Sequence, residues 1–139
     1  MRVVLDSNVL IAAFVARGTC AELLEHCARE HQLLASEYIL EEVRRNLASK
    51  AGVSARNAEA AVKLLRTRLT LVEPIDLGRR VCRDTEDDPI LGTAVAAQCE
   101  LLVSGDKDLL EMGEYETIRI VSPRGFWSHE RPAGDRGRE

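Results

Sequence analysis

Two rhythms of apolar residues alternate along the chain. Short, dense runs rich in Val, Leu and Ile occupy Arg2 to Leu5, Gln32 to Ala35, Leu101 to Ser104 and Thr117 to Val121. Between them lie longer stretches whose apolar positions recur every three or four residues. The first rhythm predicts strands buried on both faces, as the central strands of a parallel sheet must be; the second predicts helices that bury one stripe. A helix opens near Asn8 and fades before Gly18. Thr19 with Glu22 predicts a capping box for a second helix carrying Leu23, Leu24, Cys27 and Ala28. Ser36 caps a third through Ser49, with Ile39, Leu40, Val43 and Leu47 inward. Gly52 stops it, and Ser54 caps a fourth through Arg68 with Ala58, Ala61, Val62, Leu65 and Leu69 as its stripe, so that these two helices form an arm over the sheet.

Further on, Thr70 to Val72 predicts an edge strand ended by Pro74, Leu77 to Val81 a short helix, and Asp84 to Asp88 an acidic turn. Pro89 to Cys99 predicts a helix of small residues with proline in its first turn. Asp108 to Met112 reads as a helical turn, and Ser122-Pro123 opens a final turn carrying Phe126 and Trp127. From His129 to Glu139 the only apolar residue is Ala133, which predicts a disordered tail. Strands alternating with helices give an α/β class, a three-layer domain over residues 1–128 with a central parallel sheet flanked by helices.

Composition narrows the partners. A chain of 139 residues, 45% hydrophobic, has enough apolar surface for one core. The net charge of -4 argues against a protein that holds nucleic acid by bulk charge. Neutralising four site acids with two divalent cations would remove that deficit. Of 19 basic residues 16 are Arg, the side chain that forks onto phosphate, although a GC-rich genome produces the same bias. At 4% aromatic the chain has little capacity for base stacking. No apolar run approaches a membrane span and Met1-Arg2 leads straight into a strand, so a cytoplasmic protein without membrane partners is expected. Cys20, Cys27, Cys82 and Cys99 form no C-x-x-C pair and read as core thiols, whereas His26, His31 and His129 lack partner spacing and read as surface residues.

The candidate chemistry is carried by acids. Asp6 ends the first apolar run and Asp106 follows a later one across Ser104-Gly105, which puts both at the carboxyl edge of a parallel sheet, where ligands bind. Glu42 lies three residues after the inward Ile39, while Glu41 leans toward solvent with Glu37; Asp88 precedes Pro89. Carboxylates collected in one crevice repel each other unless a hard divalent cation sits among them, and oxygen ligation of that kind suits Mg²⁺ or Mn²⁺. The implied reaction is metal-assisted hydrolysis of a phosphodiester.

Four blocks carry a resemblance: Val4-Leu5-Asp6-Ser7-Asn8-Val9-Leu10, Ile39-Leu40-Glu41-Glu42-Val43, Asp87-Asp88-Pro89-Ile90-Leu91, and Leu102-Val103-Ser104-Gly105-Asp106-Lys107-Asp108-Leu109-Leu110. In order, spacing and context, from Met1 to about Trp127, the chain resembles the PIN-domain ribonucleases, including toxins of the VapC type. That resemblance implies Mg²⁺- or Mn²⁺-dependent endonuclease cleavage of RNA. It implies that Asp6, Glu42 and Asp88 bind metal and Asp106 completes the site, with Ser7, Asn8 and Ser104 orienting carboxylates. Glu41 competes with Glu42, and Asp87 and Asp108 compete with their neighbours. The partners it points to are an RNA substrate, a small antitoxin protein and a second copy of the chain.

Each acid also has an ordinary structural reading. Asp6 and Asp88 are good helix caps, Glu42 sits on a helix where acids usually face solvent, and Asp106 follows a turn glycine. Arg45 follows Glu42 by about one helical turn, within reach of a phosphate, and Arg44 adjoins it, but both also fit a solvated face of mixed charge. The absence of a G-x-x-x-x-G-K loop and of any supported Ser-His-Asp or Cys-His set argues against ATPases and covalent hydrolases. Haloacid-dehalogenase-like phosphatases would require an acid where Asn8 stands. A non-catalytic RNA- or partner-binding domain on the same fold, and an RNA-processing nuclease with no antitoxin, remain as alternatives.

Overall fold

The computed structural model describes residues 1–16 and 18–130. Its elements run β1 (Arg2–Leu5), α1 (Ser7–Val15), α2 (Thr19–Glu30), β2 (Gln32–Ala35), α3 (Glu37–Ser49), α4 (Ala55–Arg68) and β3 (Thr70–Leu71). A 3₁₀ turn (Thr85–Asp87) leads into α5 (Asp88–Ala96), β4 (Leu101–Val103), α6 (Lys107–Met112), β5 (Glu114–Tyr115), β6 (Ile118–Val121) and α7 (Pro123–Glu130). The six strands form one sheet in the order β3-β2-β1-β4-β6-β5, parallel throughout except for the β5–β6 hairpin. The chain is therefore an α/β domain with a mostly parallel central sheet flanked by helices.

The central strands are as the apolar runs require. Val3, Val4 and Leu5 of β1 and Leu101, Leu102 and Val103 of β4 are all buried and pair in register, Val3 with Leu101 and Leu5 with Val103. Being adjacent and parallel, β1 and β4 end on the same edge of the sheet, which brings Asp6 and Ser104 together. Helix α3 buries Ile39, Leu40, Val43 and Leu47, and α4 packs on it through Ala58, Val62 and Leu65. Ser36 and Ser54 cap them as expected, accepting from the N–H groups of Ile39 (3.3 Å) and Asn57 (3.1 Å).

Several expectations change. The capping box at Thr19 does not form: Thr19 is already helical, and the cap position falls on Gly18, which has no side chain to offer. Leu77 to Val81 is not a helix. Asp76 Oδ1 accepts from the N–H of Gly78 (2.8 Å), and Gly78 adopts φ +81°, a turn that breaks any helical start. Just before it the chain passes against α5, where the Ile75 N–H donates to the carbonyl of Gly92 (3.1 Å). A Cβ on Gly92 would stand 2.4 Å from the Ile75 carbonyl oxygen, so only glycine permits this approach. The β5 strand was not foreseen, and the final turn is an eight-residue helix, α7, with Phe126 fully buried. The expected tail loses its first two residues to α7; the rest of it lies outside the described residues. His26 and His31 are not surface residues, since both are half-buried against Glu130. Cys27, Cys82 and Cys99 are buried and Cys20 is half-buried. No single helix among the described residues is long and apolar enough to cross a membrane.

Candidate functional site

At the carboxyl edge of β1 and β4 the chain collects buried acids and fixes them with hydroxyls. Asp6 is 2% exposed. Its Oδ1 accepts from the Ser7 N–H (2.6 Å) and the Ser7 hydroxyl (3.4 Å), and its Oδ2 accepts from the Ser104 hydroxyl (2.7 Å). The Ser7 hydroxyl also lies 2.9 Å from Oε1 of Glu42, so one serine links an acid on α1's cap to an acid on α3. Asp6 therefore both caps α1 and faces the crevice. Asn8 Oδ1 accepts from the Gly105 N–H (3.2 Å) and ties the first turn of α1 to the loop after β4. The Ser104 hydroxyl accepts from the Asp106 N–H (2.9 Å), and Asp106 Oδ1 in turn accepts from the Asp108 N–H (2.9 Å) as the cap of α6.

Of the two neighbouring acids before Pro89, the structure turns Asp87 to this cluster and Asp88 away from it. Asp87 is 6% exposed, and its Oδ2 is buried with no hydrogen-bond partner among the described residues. Burial, a carboxyl–carboxyl contact with Asp106 and the nearby Asp6 charge push Asp87 up to about 8. Asp88, the acid that the resemblance implies as a ligand, bonds instead to backbone N–H groups of the preceding segment. Its Oδ1 accepts from the Cys82 N–H (2.7 Å) and its Oδ2 from the Val81 N–H (3.4 Å). Burial works against ionisation of Asp88, but those bonds and the Cys82 thiol outweigh it and hold the carboxyl below its usual range. Local sequence did not separate the two, because the choice depends on backbone N–H groups six and seven residues upstream.

The other candidates divide as clearly. Glu42 is buried whereas Glu41 is exposed and paired with Arg44. Arg44 thus belongs to the outer face of α3 and α4, where it also meets Glu59 at 4.0 Å. Arg45 is exposed, and its charge acts on both Glu42 and Tyr38. The carboxylate of Asp108 is drawn out to Arg83 (3.2 Å). Tyr38 had no sequence signal: its hydroxyl donates to the Glu86 carbonyl (2.9 Å) and fastens α3 to the turn that carries Asp87. Burial raises Asp6, outweighing its hydroxyl and N–H bonds, and burial likewise raises Glu42. Uncompensated buried acids with an orphaned oxygen suit a hard divalent cation, and the all-oxygen donor set fits Mg²⁺ or Mn²⁺.

The PIN domain family profile matches residues 2–108, and the chain belongs to that family. Two solved structures share its fold. One is VapBC2 from Rickettsia felis bound to a DNA fragment from their promoter, at 15% identity and TM-score 0.66, covering 88% of this chain and 98% of that one. The other is VapBC-1 from nontypeable Haemophilus influenzae, at 15% identity and TM-score 0.61, covering 89% and 99%. No curated protein sequence matches the chain at a significant level.

Proposed function

We propose that the chain is a Mg²⁺- or Mn²⁺-dependent endoribonuclease of the VapC kind, with Asp6, Asp87, Asp106 and Glu42 as the cation's ligands. The observation that carries this reading is Asp87: a buried carboxyl beside Asp106 and Asp6 with an oxygen that no described group satisfies. A divalent cation bound there supplies Lewis-acid activation of water and of the phosphate. Ser7 and Ser104 hold the Asp6 carboxylate in a fixed orientation, which keeps the ligand geometry before any cation arrives. Asp88 acts through Asp87: by tying the 81–82 backbone to the first turn of α5 it fixes where the neighbouring carboxylate points. Arg45, exposed beside Glu42, is suited to hold a backbone phosphate of the substrate at the rim.

The likeness to VapBC proteins supports a toxin's role, with a small antitoxin as partner. RNA is the substrate class the family resemblance favours. The deciding experiment is cleavage of labelled single-stranded and structured RNA with Mn²⁺, with EDTA, and with Asp87→Asn in Mn²⁺. The reading requires cleavage only in the first condition. Activity that survives EDTA, or survives Asp87→Asn, overturns it.

A further inference from the structure

We infer that His26, His31 and Glu130 form a second, zinc-class metal site at the amino edge of the sheet. The three residues come from α2, its C-terminal cap and the end of α7, and their ligand atoms all lie within 4.8 Å of one another. His26 Nε2 and His31 Nε2 stand 2.6 Å and 2.8 Å from the same oxygen, Oε2 of Glu130. A tetrahedral zinc ion with bonds of 2.0–2.2 Å needs its ligand atoms about 3.3 Å apart, so side-chain adjustments of about half an ångström open the cluster to receive it.

The rings are positioned in advance. His26 packs at 5.0 Å from Trp127 and 6.0 Å from Phe126, and His31 stands edge-on to His26 at 5.5 Å. His31 Nδ1 lies 3.1 Å from the Met1 nitrogen, an arrangement that keeps Nε2 turned toward Glu130. The side chains are 20%, 10% and 20% exposed, enough for an ion to enter and for water to complete its coordination. Two imidazoles and one carboxylate select borderline ions of the zinc type over Mg²⁺. This site is separate from the acid cluster: His31 precedes β2, whose first N–H, that of Gln32, donates to the Met1 carbonyl (2.9 Å), while Asp6 leaves the opposite end of β1. Occupancy would staple α7 to α2, elements whose ligand residues are 104 positions apart.

The test uses the untagged full chain in excess Mg²⁺, the ion that the oxygen site would take and the imidazoles would not. Calorimetric titration with Zn²⁺ should give one ion per chain and raise the melting temperature by on the order of 5–10 °C at a hundredfold excess over Kd. The emission of Trp127, the sole tryptophan, should change in step. His26→Gln and Glu130→Gln should each abolish uptake and the shift. Co²⁺ on the wild type should give the intense visible absorption of tetrahedral nitrogen and oxygen ligation, a readout that needs no variant to fold. No stoichiometric uptake, a shift retained in both variants, or a cobalt spectrum that is octahedral or thiolate-like overturns the assignment. None of these readouts depends on RNA cleavage, so this site and the nuclease reading fail or stand separately.

Discussion

At the scale of single residues, the two adjacent acids Asp87 and Asp88 are assigned different roles, and substitution should separate them. Asp87→Asn is expected to abolish Mn²⁺-dependent cleavage with the fold intact. Asp88→Asn removes a charged acceptor from the Cys82 and Val81 N–H groups and should cost about 1–3 kcal/mol of stability, with only partial loss of cleavage at temperatures where the variant is folded. Denaturant melts beside the RNA assay check both; complete loss in Asp88→Asn with unchanged stability would reverse the assignment. The raised Asp87 also makes metal-free stability depend on pH. The folded chain keeps the Asp87 proton up to about pH 8, whereas the unfolded chain releases it near 3.8. The contribution is full below about pH 4 and is lost as pH rises through about 8, by at most about 1.4 kcal/mol per pH unit. Melts in EDTA at stepped pH should fall accordingly, and should fall less in Asp87→Asn. A flat wild-type profile would show that Asp87 is ionised in the apo site.

At the scale of elements, the acid site depends on how closely the 72–82 segment crosses α5. Gly92→Ala would force a Cβ to 2.4 Å from a backbone oxygen, which has no rotamer through which to yield. The expected cost is about 1–3 kcal/mol, together with weaker Mn²⁺ binding, since the displaced segment carries Cys82 and through it Asp88. Stability measured with and without Mn²⁺ checks this; a neutral substitution would mean the segment floats. The elements themselves were legible where one local rule decided them. Double-sided apolar runs announced β1 and β4, and Ser36 and Ser54 announced α3 and α4. Legibility failed where a distant group decided. Asp76 and Gly78 turn the chain at a segment whose apolar residues could equally have formed a helix. The pairing of β5 requires β6, and α7 is longer than its turn signal because Phe126 finds the core. The same holds for where the candidate residues lie: Asp6 and Asp106 could be placed from their strand ends and Glu42 from its helical phase, while which of Asp87 and Asp88 turns to the acid cluster, and the meeting of His26 with Glu130, depend on the fold.

At the scale of the whole molecule, the sheet gathers buried acids at one edge, and the acids differ in how much that placement costs the fold. Asp6 accepts bonds from the Ser7 N–H and the Ser104 hydroxyl, so its charge is compensated in part, although burial still raises its pKa. Asp87 has an orphaned oxygen and a carboxyl neighbour, so its charge is not. Deleting the two charges should therefore act in opposite directions on the metal-free protein at pH 8. Asp87→Asn removes a repulsion and should raise the melting temperature in EDTA. Asp6→Asn replaces two accepting oxygens by one and should lower it. In Mn²⁺ the order should invert for Asp87, because wild type gains stability as the logarithm of free metal, roughly 2.7 kcal/mol at a hundredfold excess over Kd, while the variant forgoes most of that gain. Thermal melts of the three proteins in EDTA and across a Mn²⁺ series decide the matter. If Asp87→Asn is destabilised in EDTA at pH 8, or gains as much from Mn²⁺ as wild type, then Asp87 is a structural acid and the cation's ligands must be sought among Asp6, Asp106 and Glu42 alone.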